Sequence, residues 1–105
     1  AYTNEQTVEL LQAAVKCDLV PRSTRVRASA IGEDHPLVKA AKAIGRQTFV
    51  SPTTSDMALM PFPSLKMGVG VSSRSHSADE YVLVSEIEEG IELYDQLIQK
   101  LKETI

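Results

Sequence analysis

Tryptophan is absent from these 105 residues, phenylalanine and tyrosine number two and three, and cysteine occurs once. With so few aromatics, a core has to be assembled from Leu, Ile, Val, Ala and Met. The lone Cys17 excludes an internal disulfide, which fits a reducing cytoplasm. No apolar run reaches the roughly 18 residues of a membrane span, so no membrane partner is expected. The net charge of -3 argues against a nucleic-acid surface. Repeats and low-complexity stretches are missing too, and the first residues, Ala1-Tyr2-Thr3-Asn4-Glu5, carry no basic or hydrophobic signal region. What is present, 43% hydrophobic and 24% charged residues, reads as one globular domain at most, with a modest core.

Thr3 followed by Gln6 is a capping-box pattern, and Val8, Leu11 and Val15 behind it have helical spacing. The pattern predicts a helix from Asn4 to Lys16. From Asp18 to Ser29 the sequence alternates, with Arg22, Arg25 and Arg27 interleaved with Thr24, Val26 and Ala28. Period two predicts a strand with one basic face, kept to a sheet edge by Pro21. After a composition break at Ile31–Pro36, Pro36 suits a first helical turn with Asp34 or His35 near its cap. Leu37, Ala40, Ala41 and Ile44 form its stripe, and Gly45 stops it. Arg46–Ser51 reads as a short strand, Met57–Met60 as a short helix halted by Pro61, and Pro63–Met67 as a buried strand. Ser85 and Glu88 form a second capping box, opening a helix to Glu103 with Ile87, Ile91, Tyr94, Leu97, Ile98 and Leu101 as its buried stripe. Alternating helices and short strands predict an α/β fold, a partial layered sheet with flanking helices. A seam near Ala30–Asp34 divides it.

The chemistry concentrates in Gly68–Glu80. His76 is the best metal-ligand candidate, since neutral imidazole suits zinc and a nearby carboxylate such as Asp79 or Glu80 can orient its second nitrogen. A surface-loop histidine without a role is the competing reading. Gly68-Val69-Gly70 either turns the chain at a strand end or cradles an anion through backbone amides. Ser73 stands where a dinucleotide fingerprint would place its third glycine. Arg74 could pair with a substrate carboxylate or lie in solvent. Thr53-Thr54-Ser55-Asp56 offers hydroxyls to a carbonyl, or merely caps a helix. His35, the arginine face and Cys17 read as structural.

In this order, the residues resemble the C-terminal third of the acetylornithine deacetylase/succinyl-diaminopimelate desuccinylase family, which includes aminoacylases and carboxypeptidase G-type enzymes. The resemblance rests on Ser51-Pro52-Thr53-Thr54-Ser55-Asp56, on Pro63–Gly70, and on Ser75-His76-Ser77-Ala78-Asp79-Glu80-Tyr81-Val82. It implies a metallopeptidase-type amide hydrolase acting on an N-acyl amino acid. The closest branch is the acetylornithine deacetylase-like one of arginine biosynthesis. The cofactor implied is a pair of zinc ions, with cobalt as a substitute, in a cytoplasmic homodimer. Residues 1–30 would end a lid or dimerisation domain, and residues 31–105 would form the C-terminal part of the catalytic domain. His76 matches the last metal ligand. Thr54 matches a substrate-pocket position, Ser72 a substrate-binding asparagine of some desuccinylases, and Arg74 becomes a substrate-carboxylate contact. Val69 departs from the usual Gly-Pro-Gly. The His-x-Asp ligands, the Glu-Glu pair bearing the general base and the remaining acidic ligand are not in this sequence, and Glu88-Glu89 lies in the wrong place to serve. The chain alone is therefore expected to be inactive, a piece of a larger enzyme. The alternative is a non-catalytic α/β association module.

Overall fold

The computed structural model describes residues 2–105. Helix α1 spans Asn4–Ala14, α2 spans Pro36–Ala43 and α3 spans Val84–Thr104, with 3-10 turns at Asp56–Leu59 and Ser72–Arg74. The chain groups into two compact units. One holds the described residues of Ala1–Ala30 together with Ser51–Ser64, and the other holds Ile31–Val50 and Leu65–Ile105. No helix among the described residues is long and apolar enough to cross a membrane.

In the first unit the capping box forms as its residues dictate. Thr3 Oγ1 accepts the Gln6 N–H at 3.1 Å, and Gln6 Oε1 accepts the Thr3 N–H at 2.9 Å. Helix α1 ends at Ala14, two residues before the expected Lys16, because Val15 is already extended. Gln12 secures the departing chain: its amide donates to the Cys17 carbonyl and accepts the Leu19 N–H, both at 2.9 Å. No side chain of α1 is buried, and Leu10, Leu11 and Val15 are exposed.

The layered sheet is not there: no strand occurs among the described residues. Residues 18–29, Arg46–Ser51 and Pro63–Met67, each expected as a strand, have no strand partner. A strand exists only through a ladder of bonds to a neighbour, and alternation supplies the local period without supplying that neighbour. Residues 24–27 are instead held singly. Asn4 Nδ2 donates to the Thr24 and Val26 carbonyls at 2.9 and 2.7 Å, and the Arg27 N–H reaches the Ala58 carbonyl at 3.3 Å. Met57–Met60, expected as a short helix, forms the tighter 3-10 turn Asp56–Leu59. In Pro63–Met67 only Ser64 is buried.

The second unit carries the core. His35 caps α2, its Nδ1 accepting the Leu37 N–H at 3.2 Å, and Pro36 occupies the first turn, where a missing N–H costs nothing. Gly45, at φ +83°, ends the helix in a Schellman motif: Arg46 N–H bonds the Ala41 carbonyl and Gly45 N–H the Lys42 carbonyl. The small buried faces of Ala40 and Ala41 meet Leu97 of α3, with Ile44, Leu65, Met67 and Leu101 packed around them.

Helix α3 starts two residues earlier than its sequence suggests. Leu83 is the N-cap, and Glu86, not Glu88, reaches back to accept the Leu83 N–H at 2.8 Å. Of the predicted α3 stripe only Leu97 is buried, while Ile87, Ile91, Tyr94 and Ile98 stay exposed. Gly90 has a specific function here. A Cβ added to it would lie 2.0 Å from Val69 Cγ1, so Val69 packs directly on the bare helix backbone. Tyr94 holds the same segment, its hydroxyl donating to the Met67 carbonyl at 2.6 Å.

Candidate functional site

The loop from Val71 to Glu80 is organised around an ion pair. Arg74 Nη1 donates to Glu86 Oε2 at 2.7 Å, and the two side chains retain only 21% and 17% exposure. The other ion pairs among the described residues are far more exposed. The Arg74 guanidinium also lies over the Tyr81 ring, 4.5 Å from its centroid, within the range of a cation–π contact. Gly70, at φ +80°, permits the close approach: a Cβ there would meet Val82 Cγ2 at 3.3 Å and Glu86 Oε2 at 3.7 Å. That carboxylate opposes the reading of Gly68-Val69-Gly70 as an anion cradle, since an anion at Gly70 would face like charge.

The Arg74 hydrogen bond, and after it the Leu83 amide, holds the Glu86 carboxyl below the usual carboxylate range. Glu86 in turn raises the already high pKa of Arg74. A depressed carboxylate contributes stability above its unfolded value, about 4.3, and loses it as pH falls through the lower folded value. The melting temperature of the native chain should therefore exceed that of Glu86→Gln by a constant margin above about pH 5, with the gap closing in stronger acid. A margin independent of pH would mean that the pair contributes nothing.

His76 follows Arg74 by two residues and is exposed in a left-handed conformation, φ +58°. Its N–H donates to Glu80 Oε2 at 3.2 Å, so Glu80 orients the backbone rather than the ring. The imidazole has no hydrogen-bond partner among the described residues. Ser77 Oγ donates to the Arg74 carbonyl and closes the turn between them. Asp79 is also left-handed, φ +54°. Ser72 is exposed and opens the 3-10 turn, its carbonyl accepting the Ser75 N–H at 3.1 Å. Among the described residues no three of His, Cys, Asp and Glu are placed to hold a metal ion together. No metal site of three such donors is therefore complete among the described residues.

Thr54 belongs to the other unit, where it is exposed. Beside it Ser51 Oγ and Thr53 Oγ1 share a hydrogen bond of 2.8 Å, and Ser55 precedes the Asp56–Leu59 turn without a side-chain capping bond.

Residues 4–100 match the family model described as peptidase family M20/M25/M40. The chain belongs to that family. Its members are generally metal-dependent hydrolases, which upholds the expectation of a metallopeptidase-type hydrolase at that level. No curated protein matches the chain as a relative.

Sequence reasoning missed Glu86 and Tyr81. Glu86 reads as one of several acids in a first helical turn, and nothing local marks it as the partner of an arginine twelve positions earlier. The ordinary appetite of helix N-termini for acids was the only available signal.

Proposed function

We propose that this member of the M20/M25/M40 family serves a zinc-dependent amidohydrolase that deacylates an N-acyl amino acid, in the manner of acetylornithine deacetylase, and that His76 is one of its metal ligands. The observation that carries the reading is the exposed, unpartnered imidazole of His76 on a loop fixed at both sides, within a chain of a metal-dependent hydrolase family. An imidazole left free of protein hydrogen bonds has none to break when it turns onto a metal, and a fixed loop reduces the entropy lost on binding. When bound, the metal would polarise the amide carbonyl and activate water.

Thr54 and Ser72 offer hydroxyls for the acyl carbonyl or the amino-acid carboxylate. Arg74 spends one N–H on Glu86 and keeps four further donors, so a substrate carboxylate remains within its repertoire. In the same reading residues 1–30 end a lid domain and residues 31–105 belong to the catalytic domain. The protein would be a cytoplasmic homodimer, as the family resemblance implies, and its single cysteine suits a reducing compartment.

Replacing His76 and measuring bound metal tests the ligand role. Thr54→Val tests the pocket: kcat/KM for an N-acyl amino acid should fall by about tenfold or more, the loss of one hydrogen bond to a charged or developing-charge partner. Metal content should stay unchanged. Loss of metal would give Thr54 a different role.

A further inference from the structure

We infer that Glu86 is a positioning residue, which, through Arg74, holds the His76 loop on the first turn of α3. The inference rests on the reading of His76 as a metal ligand, and it assigns the residue that keeps that ligand in place. Three observations carry it. A single oxygen, Glu86 Oε2, takes both the Arg74 guanidinium at 2.7 Å and the Leu83 N–H at 2.8 Å, so one carboxylate joins the loop to the helix cap. Both partners of the ion pair are largely shielded, and charge-assisted bonds of this kind are short and strong. The loop is then locked from the other side, by Ser77 on the Arg74 carbonyl and by Glu80 on the His76 N–H. His76 thus sits between two anchors, and the one at Arg74 depends on Glu86. Tyr81 adds a face against which the guanidinium lies, which restricts it to one side of the loop.

Glu86 makes no hydrogen bond to His76, so its influence runs through Arg74 and the backbone. Glu86→Gln keeps the shape and an oxygen for the Leu83 N–H but removes the charge that fixes Arg74. Hydrogen exchange at the His76 amide reports the loop directly, and Zn(II) affinity of the native full-length protein reports the ligand. In Glu86→Gln the His76 amide should exchange at least about tenfold faster, while amides in the middle of α3 keep their protection. Zn(II) affinity should fall by about tenfold, the lower end of what outer-shell substitutions do to metal sites. Arg74→Met should reproduce both effects and Arg74→Lys should restore part of each.

Unchanged exchange at His76 would overturn the clamp. Faster exchange with unaltered Zn(II) affinity, in a protein where loss of the His76 ring does weaken Zn(II), would overturn the positioning role and leave Glu86 a stabilising residue only. If loss of the His76 ring leaves Zn(II) affinity unaltered, the ligand reading fails first and takes the inference with it.

Discussion

His76→Asn in the native protein should lower bound metal and reduce hydrolysis of an N-acyl amino acid by about a thousandfold or more, since metal assistance is worth several kcal/mol of transition-state stabilisation. Asparagine is the informative replacement because His76 sits at φ +58°, a conformation in which asparagine and histidine are both enriched. Since the side chain is exposed and without a hydrogen-bond partner among the described residues, the fold should hardly notice the change: stability should move by no more than about 0.5 kcal/mol. Activity and metal lost together with an unaltered melting curve are the expected signature. Full activity in His76→Asn would remove the residue from the chemistry.

Gly90→Ala should have the largest effect on stability for its size. In an ordinary helix the change helps, because alanine is the better helix former by about 1 kcal/mol. Here the new methyl would stand 2.0 Å from Val69 Cγ1 and 3.2 Å from Val69 Cβ. A β-branched side chain has little freedom to move aside, so the overpacking cost of about 1–3 kcal/mol exceeds the helical gain. The net loss should be up to about 2 kcal/mol, a fall in melting temperature of up to several degrees for a chain of this length. The double variant decides the cause. In a Val69→Ala background, with both γ-methyls gone, Gly90→Ala should become neutral or stabilising. If it stays equally harmful there, the contact with Val69 is not what Gly90 serves. The same contact gives Val69 a purpose that the Gly-Pro-Gly comparison could not: the residue in the proline's place fills the space that Gly90 leaves open.

These two residues also mark the boundary of what the sequence made legible. Features whose partners lie within one turn were readable: the Thr3–Gln6 box, Pro36 opening α2, Gly45 closing it, and the existence of α3. Features whose partners lie far along the chain were not. The alternation of residues 18–29 predicts a strand, yet a sheet needs a second strand, and none pairs with it among the described residues, where the chain bends at Arg22 and Thr24. The start of α3 slipped by two residues because a capping-box search demands a polar N-cap, and Leu83 has no polar side chain. Its predicted stripe was right in period and wrong in outcome: periodicity names a face, but only a neighbour buries it, and α2 reaches Leu97 while Ile91 and Ile98 stay in solvent.

For the site, the loop and its histidine stood out through local composition, glycine and serine around an isolated imidazole. The arrangement that fixes the loop did not, since Arg74 finds Glu86 twelve residues away and Gly70 makes room for that carboxylate. Arg74 accordingly has two duties under the present reading. One, toward Glu86 and Tyr81, is visible in the structure. The other, toward a substrate carboxylate, belongs to the proposal and would use the donors that Glu86 leaves free.

The central claim, that the His76 imidazole binds metal, is tested most directly by nitrogen NMR of the native protein labelled at histidine, followed as Zn(II) is added. The His76 resonance, assigned by its absence in His76→Asn, should move to a metal-bound position at stoichiometric Zn(II). That of His35, whose Nδ1 is held by the Leu37 N–H, should stay in place. A His76 resonance that ignores Zn(II) while the metal binds elsewhere would contradict the claim.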